Sequence, residues 1–148
     1  MRRFTSVSAA SPIDAAERLD AEGRRAAVIG GGSDLLGMIK DDLVTPKVLV
    51  NLRGISGLDD VRVVDGTGVV RIGGLVTLSA LAAHPLITAS YRAVAEAAGS
   101  AATPQIRNVG TLAGNLCQRP WCWYYRQRFP CFKHGGNRCF SRVGENQF

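Results

Sequence analysis

Short apolar runs alternate with helix-like patterns in the first part of the chain. Strands are predicted at residues 2–7, 26–29 and 47–52, where brief runs of strand-forming residues occur. Residues 26–29 are apolar throughout, which is typical of a strand buried on both faces of a sheet. Helices are predicted between Ser11 and Gly23 and at residues 35–40. The order β-α-β-α-β favours a small sheet with parallel strand pairs.

The first predicted helix carries signals for both of its ends. Ser11 is a suitable N-cap, Pro12 fits the first helical position, and Asp14 is favourable in the first turn. Gly23 is expected to end the helix. The residues at helical spacing that should face the sheet are Ile13, Ala16 and Leu19.

The pattern changes in the second part of the chain. Residues 61–64 and 69–72 are two short strand-like runs around a glycine-containing turn, which predicts an antiparallel hairpin. Alanine-rich stretches predict helices at 77–83 and 87–98. Residues 101–115 are mostly small and polar, and we expect them to form an irregular loop.

Length and composition indicate an ordinary globular protein. The chain has 148 residues, of which 46% are hydrophobic and 20% are charged, about one domain in size. The sequence has no run of about 18 apolar residues, so no membrane-spanning helix is predicted. The N-terminus lacks the apolar segment of a secretory signal peptide. We expect an α+β fold with a small βαβ subdomain at 1–55 and part of a second α+β subdomain at 56–148, which contains a cysteine-rich insertion at 116–142.

Charge is distributed unevenly along the chain. The net charge is +6 in total, but +1 for residues 1–115 and +5 for residues 116–148. The second range also contains all four cysteines and eight of the ten aromatic residues. The basic character therefore belongs to one segment, and a functional interpretation has to account for that segment.

Three consecutive glycines, Gly30–Gly32, follow the predicted strand at 26–29. Glycine lets a backbone approach a ligand closely, and Ser33 is placed to cap a helix whose N–H groups could receive a phosphate. The motif is neither G-x-G-x-x-G nor a P-loop, and a plain tight connection is the alternative. Residues 101–115 form a second candidate ligand loop. The two loops together favour a nucleotide cofactor.

The four cysteines have the spacing C-x4-C-x8-C-x7-C. The spacing is looser than in common structural zinc sites, and no export signal favours disulfides. An iron–sulfur cluster held by thiolates ranks first, with zinc and disulfides as open alternatives. Basic residues would favour thiolates and offset an anionic cluster; these are Arg119, Arg126, Arg128, Lys133, Arg138 and Arg142. The aromatic residues expected to shield it are Trp121, Trp123, Tyr124, Phe129 and Phe132.

Three motifs occur in order along the chain: VIGGGSDLL at 28–36, IGGLVT at 72–77 and RNVGTLAGNL at 107–116. Together they resemble the FAD subunit of molybdenum hydroxylases, the medium-subunit family of xanthine dehydrogenase and carbon monoxide dehydrogenase. The resemblance implies a PCMH-type FAD-binding fold, incomplete at the C-terminus. The cofactor-binding residues that it implies are Val28, Ile29, Gly30, Gly31, Gly32, Ser33, Asp34, Leu35, Gly110, Thr111, Gly114 and Asn115.

The segments QRPWCWYYR at 118–126, FPC at 129–131 and GGNRC at 135–139 resemble a narrower branch of this family. In that branch, which includes periplasmic-type aldehyde oxidoreductases, the FAD subunit also holds a [4Fe-4S] cluster. The metal ligands implied by this resemblance are Cys122, Cys131 and Cys139, with Cys117 as the candidate for the fourth.

The resemblance implies an electron-transfer subunit with no catalytic residues of its own. A molybdopterin-binding large subunit would oxidise an aldehyde or an N-heterocycle, and a [2Fe-2S] small subunit would relay electrons to FAD and on to an external acceptor. Neither nucleic-acid binding nor membrane insertion is expected. Family members are considerably longer, so we expect the chain to be the front part of a larger flavoprotein subunit. We expect a cytoplasmic location, or a periplasmic one by export with a partner.

Two other functions remain open at this point. The basic, aromatic and cysteine-containing segment is compatible with a zinc-stabilised module that binds nucleic acid. The short length relative to the family is also compatible with an inactive, truncated remnant.

Overall fold

Three parallel strands form the first sheet of the computed structural model, which describes residues 2–142. They are β1 (Thr5–Ser8), β2 (Ala26–Ile29) and β3 (Val48–Asn51), and their spatial order is β1-β3-β2. The parallel pairing predicted from the alternating pattern is confirmed.

The most buried strand of this sheet is β3, not β2. Leu49 and Val50 are 2% and 0% exposed, whereas Val28 of β2 is 41% exposed. The prediction that residues 26–29 are buried on both faces is therefore wrong. Its physical reason is the strand order, which places β3 in the centre and β2 at an edge.

The first helix, α1 (Pro12–Glu22), begins and ends as predicted. The Ser11 hydroxyl accepts the Asp14 N–H, and Gly23 at the C-cap has φ +53° and donates its N–H to the Leu19 carbonyl. The predicted sheet-facing set is partly wrong, since Ala16 is exposed and Ile13 is 71% exposed. Ile13 is two residues, or about 200° around the helix, from buried Ala15. The packed stripe runs instead along Ala15 and Leu19, which are four residues apart.

A short helix and a hairpin follow. The glycine turn after β2 leads into α2 (Leu35–Lys40). The predicted antiparallel hairpin is confirmed as β4 (Val61–Val63) paired with β5 (Val70–Ile72), with Val61 opposite Ile72.

Three helices follow the hairpin where two were predicted. They are α3 (Leu78–Ala83), α4 (Pro85–Ser90) and α5 (Arg92–Ser100). The predicted helix at 87–98 is interrupted at Tyr91, whose φ of −134° and ψ of 48° are not helical.

Residues 101–115 are largely helical, so the predicted irregular loop is wrong. The helices are α6 (Pro104–Val109) and α7 (Leu112–Cys117). Each begins after a threonine whose hydroxyl accepts a backbone N–H, Thr103 before α6 and Thr111 before α7. These caps are the signal that could have identified the helices in the sequence. The remaining helix is α8 (Trp123–Arg126), and short 3-10 turns lie at Gly23–Arg25 and Phe132–His134.

Buried apolar residues form three clusters. The first lies under the parallel sheet around Val50 and Ile55. The second lies among α3, α4 and α5 around Leu81 and Ile87. The third joins α2 to the cysteine-rich insertion at 116–142, called the cysteine-rich segment below. It consists of Met38, Tyr125 and Cys131. Among the described residues, no helix is long and apolar enough to cross a membrane.

Candidate cofactor site

The glycine turn forms one wall of a cavity of about 380 Å³, here called the glycine cavity. The opposite wall comes from α7 and the residues that follow it. Ten of the twelve cofactor-binding residues implied by the sequence line it, namely Val28, Ile29, Gly30, Gly31, Gly32, Ser33, Asp34, Leu35, Thr111 and Gly114. The sequence therefore identified two distant segments that the fold brings together around one space.

Gly31 and Gly32 explain why this turn needs glycine. A Cβ at Gly31 would overlap the carbonyl oxygen of Val109, because the turn packs directly on the end of α6. Gly32 has φ +80°, a conformation that residues with a side chain rarely adopt. The turn thus presents bare backbone to the cavity.

The start of α2 differs from the sequence prediction. Ser33 was expected to cap this helix, but the cap position is Asp34, which makes no side-chain capping bond. Asp34 is itself in the helical region, with φ −90° and ψ −54°, whereas a capping residue is normally extended. Its carboxylate instead accepts the backbone N–H of Arg119 at 3.1 Å. Asp34 therefore joins the two walls of the glycine cavity.

Thr111 holds the second wall in place. It is 5% exposed, and its hydroxyl accepts the N–H of Gly114 at 3.2 Å. Backbone hydrogen bonds fix the same connection to the start of α3, including Leu78 N–H to the Gly110 carbonyl and Leu112 N–H to the Val76 carbonyl, both 2.9 Å. The wall is a short, well-anchored stretch of backbone.

Two predicted residues do not line the glycine cavity. Gly110 is buried behind the turn and donates its N–H to Ile106. The Asn115 side chain accepts a hydrogen bond from the Gln118 amide at 3.2 Å. Seven further residues line the cavity without having been predicted: Met38, Leu52, Leu75, Ala113, Cys117, Gln118 and Arg119. Leu75 and Ala113 lie within the quoted family motifs, which was the available signal.

Three of the four cysteines, Cys122, Cys131 and Cys139, line a second space of about 220 Å³, here called the cysteine cavity. Cys117 lines the glycine cavity instead. All four thiols are free. Within residues 2–142 no three His, Cys, Asp or Glu side chains are close enough to form a metal site. The structure thus brings three sulfurs to one cavity without bringing them to coordination distance.

The surroundings of Cys139 favour its thiolate form. The Ser141 hydroxyl lies 3.1 Å from its sulfur. Hydrogen bonding to Ser141, with a smaller contribution from the charge of Arg142, lowers the pKa of the Cys139 thiol. The thiolate is the form of cysteine that binds metals.

The aromatic residues shield the cysteines differently from the prediction. Of the five expected, Tyr124 and Phe132 line the cysteine cavity, joined by Tyr125 and Phe140. Trp121, Trp123 and Phe129 do not line it and are 67%, 50% and 43% exposed. Phe140 stacks on Tyr124 with ring centroids 5.6 Å apart. Aromatic shielding is therefore provided from the far end of the segment as well.

The two cavities are neighbours and share residues of one buried apolar cluster. Met38 lines the glycine cavity and Tyr125 lines the cysteine cavity, and both belong to the third buried cluster. The backbone that ends one cavity at Arg119 begins the other at Pro120. Apolar side chains would therefore separate a redox group in one cavity from the other cavity.

Comparison with known proteins now assigns the class. The family model described as the FAD binding domain in molybdopterin dehydrogenase matches residues 2–120, and the chain belongs to this family. It is 37% identical over 147 residues to the aldehyde oxidoreductase FAD-binding subunit PaoB of Escherichia coli (strain K12), covering 97% of this chain and 45% of that protein. It is 39% identical over 90 residues to the nicotinate dehydrogenase FAD-subunit of Eubacterium barkeri, covering 61% of this chain and 30% of that protein.

Solved structures agree with the family and with the α+β fold. Carbon monoxide dehydrogenase from Hydrogenophaga pseudoflava superposes with a TM-score of 0.73 at 32% identity, covering 78% of this chain and 39% of that one. The chain therefore spans less than half the length of these relatives. The family match ends at residue 120, before most of the cysteine cavity. The alignment with PaoB covers 97% of the chain and so continues through most of the cysteine-rich segment.

Proposed function

We propose that the chain is the FAD-binding, electron-transfer part of a molybdopterin-dependent oxidoreductase. The observation that carries this proposal is the glycine cavity, where ten of the twelve expected FAD-binding residues meet inside the region matched by the family model. The named relatives are FAD-binding subunits of enzymes that act on an aldehyde or on nicotinate, so an aldehyde or an N-heterocycle is the proposed substrate class of the whole assembly.

The residues of the glycine cavity fit part of a flavin cofactor. Bare backbone at Gly30–Gly32 permits close approach of a polar ligand, and a side chain at Gly31 would meet the Val109 carbonyl. The Thr111 hydroxyl, which accepts the Gly114 N–H, can still donate a hydrogen bond on the opposite wall, while Met38, Leu52 and Leu75 provide apolar lining. Bound FAD would supply the hydride and single-electron chemistry, and the role of this chain is to bind and orient it.

The proposed partners are a molybdopterin-binding large subunit and a [2Fe-2S] small subunit. Relatives carry names such as carbon monoxide dehydrogenase medium chain, which supports a multi-subunit assembly. The proposed division into subdomains at 1–55 and 56–148 is supported by the separate buried clusters of the parallel sheet and of α3 to α5.

We also propose that the cysteine cavity holds a [4Fe-4S] cluster, with Cys122, Cys131 and Cys139 as ligands. Support comes from their shared cavity, the lowered pKa of the Cys139 thiol and the absence of acidic residues between 116 and 142. Thiolates are the usual ligands of such clusters. Cys117 lines the other cavity, so we assign three ligands from the described residues.

Titration with FAD tests the first proposal. The full chain should quench the fluorescence of added FAD and approach saturation. Gly54→Ala is a matched control because its Cβ would lie 4.0 Å from the nearest atom, the Ala9 carbonyl oxygen, and it should bind FAD equally. Failure of the unaltered chain to bind FAD would contradict the proposal.

Anaerobic reconstitution with iron and sulfide tests the second. The unaltered chain should gain iron, acid-labile sulfide and a broad visible absorption. Cys122→Ser, Cys131→Ser and Cys139→Ser should each lose most of the iron, whereas Cys117→Ser should retain it. Colourless protein that contains one zinc per chain would favour the zinc alternative, and iron bound equally by all variants would refute the ligand assignment.

A further inference from the structure

The charged side chain of Arg126 is almost completely buried. Its side chain is 6% exposed, although it belongs to the short helix α8 within the cysteine-rich segment. The guanidinium lies over the Trp121 ring at 3.3 Å from the ring centroid, an arrangement that favours a cation. Burial of a charge is costly unless partners compensate for it, so the partners of Arg126 identify what the residue holds together.

Those partners are two carboxylates, one at each end of α2. Arg126 Nη1 donates to Asp41 Oδ2 at 2.8 Å just after the helix, and Arg126 Nη2 lies 3.8 Å from Asp34 Oδ1 just before it. Arg128 adds hydrogen bonds of 3.2 Å to the carbonyl oxygens of Asp41 and Asp42. The cysteine-rich segment is therefore held along the length of α2 by arginine side chains.

Asp34 connects this contact to the glycine cavity. It lines that cavity, and its second oxygen accepts the backbone N–H of Arg119. Arg119 and Gln118 form part of the opposite wall. A displacement of Arg126 would thus be transmitted through Asp34 to both walls.

We infer that Arg126 is a positioning residue that fixes the cysteine-rich segment on α2 and, through Asp34, sets the shape of the glycine cavity. The inference rests on the proposed function and extends it, since it makes FAD affinity depend on the cysteine-rich segment. Lysine cannot substitute fully, because a planar guanidinium is required to stack on Trp121 while it bonds to carboxylates on two sides.

The decisive variant is Asp41→Asn, because Asp41 contacts Arg126 without lining the glycine cavity. Asp41→Asn and Arg126→Gln should each weaken FAD binding by the full chain, by roughly tenfold for Arg126→Gln, when measured by fluorescence titration. The double variant should be no weaker than Arg126→Gln alone. Asp41→Glu, which keeps the carboxylate on an exposed side chain, should restore binding. Additive losses, or no rescue by Asp41→Glu, would overturn the inference.

A second measurement needs no cofactor. Cys131 is 9% exposed in the third buried cluster, so Arg126→Gln should accelerate its alkylation in the cofactor-free full chain. Cys117 is exposed already, so its alkylation should accelerate far less than that of Cys131. Arg92→Gln is the matched control, because Arg92 pairs with Glu96 on an open face of α5. Equal alkylation rates of Cys131 in the unaltered chain and in Arg126→Gln would overturn the inference.

The two proposals fail in different ways. If the unaltered chain binds no FAD, the proposed function fails, and the alkylation rates still decide whether Arg126 holds the segment. If the unaltered chain binds FAD and Asp41→Asn binds it equally well, the proposed function stands and the positioning inference is wrong. Asp41 is about half exposed, so we expect Asp41→Asn to fold. It therefore remains informative even if Arg126→Gln does not fold.

Discussion

The glycine cavity and the cysteine cavity are neighbours, yet different chemical groups line them. In the glycine cavity, backbone faces the space at the turn of Gly30–Gly32 and at the anchored start of α7, and apolar residues such as Met38 and Leu75 complete the lining. The cysteine cavity is walled by thiols and aromatic rings from a segment whose regular structure is limited to α8 and a 3-10 turn.

This difference indicates how each cavity responds to mutation. A backbone wall is sensitive to any added side chain, because the space next to it is already filled. A wall of side chains depends on the packing of a few rings. The following predictions separate the two cases, beginning with the largest expected effect.

Gly31→Ala should do the most damage. The new Cβ would overlap the Val109 carbonyl oxygen, so the turn and α6 must separate, at a cost of about 1–3 kcal/mol or more in the free energy of unfolding. FAD binding should fall by at least roughly tenfold, the equivalent of about 1.4 kcal/mol. Denaturant unfolding and FAD titration measure the two effects, with Gly54→Ala as the unaffected control. Normal FAD affinity in Gly31→Ala would show that the backbone wall is not tightly packed.

Phe140→Ala should affect the cysteine cavity more than the glycine cavity. Phe140 is partly buried against the third cluster and contacts Tyr124 and Phe129, so its loss should cost about 1–3 kcal/mol of stability. Iron retention after reconstitution should fall more than FAD affinity does, because Phe140 lines the cysteine cavity and not the glycine cavity. Phe132→Ala is the control, because Phe132 lines the same cavity but is 64% exposed, and it should change stability by less than about 0.5 kcal/mol.

Thr111→Val and Thr103→Val form a matched pair. Each removes a helix N-cap and should cost about 1 kcal/mol of stability, measured by thermal unfolding. Thr111 lines the glycine cavity and Thr103 does not, so only Thr111→Val should weaken FAD binding. Equal FAD affinities in the two variants would remove Thr111 from the proposed site.

Asp14 offers the smallest effect and a reference distant from both cavities. The Ala10 N–H and the Arg18 side chain lower the pKa of the Asp14 carboxyl. Because the folded pKa is depressed, its stabilising contribution is present above the unfolded pKa and is lost as pH falls through the folded value. The stability difference between the unaltered chain and Asp14→Asn should therefore shrink on acidification below pH about 4. A difference that grows on acidification would contradict this sign.

Local patterns predicted much of the fold. The end signals of α1 were sufficient because capping involves only neighbouring residues, as in the bond from Asp14 N–H to Ser11. The exposure of Val28 was not predictable in the same way, since it depends on which strand lies in the centre of the sheet. Strand order is set by contacts between distant segments, and an apolar run alone does not determine it.

The candidate site was likewise predictable where local residue requirements decide, and not where contacts between distant segments decide. The residues around Gly30 and Thr111 were found through motifs, because close backbone packing restricts which residues are tolerated there. The contribution of Gln118, and the separation of Cys117 from the other three cysteines, follow from where the chain turns after α7. The ion pair between Arg126 and Asp41 joins residues 85 positions apart in the sequence, and charge pattern alone does not predict such a pairing.

The strand order also has a consequence for the order of assembly. β3 is the last of the three strands in the chain but lies between the other two, so β1 and β2 have no partner in this sheet until residues 48–51 have been synthesised. During translation the glycine turn would therefore exist for some time without the sheet that supports it. Closing a loop of this size before any pairing is gained is a slow step in folding. Ribosome-bound chains that end before Val48 should be digested by protease in this region, and chains extended well beyond Asn51 should become resistant.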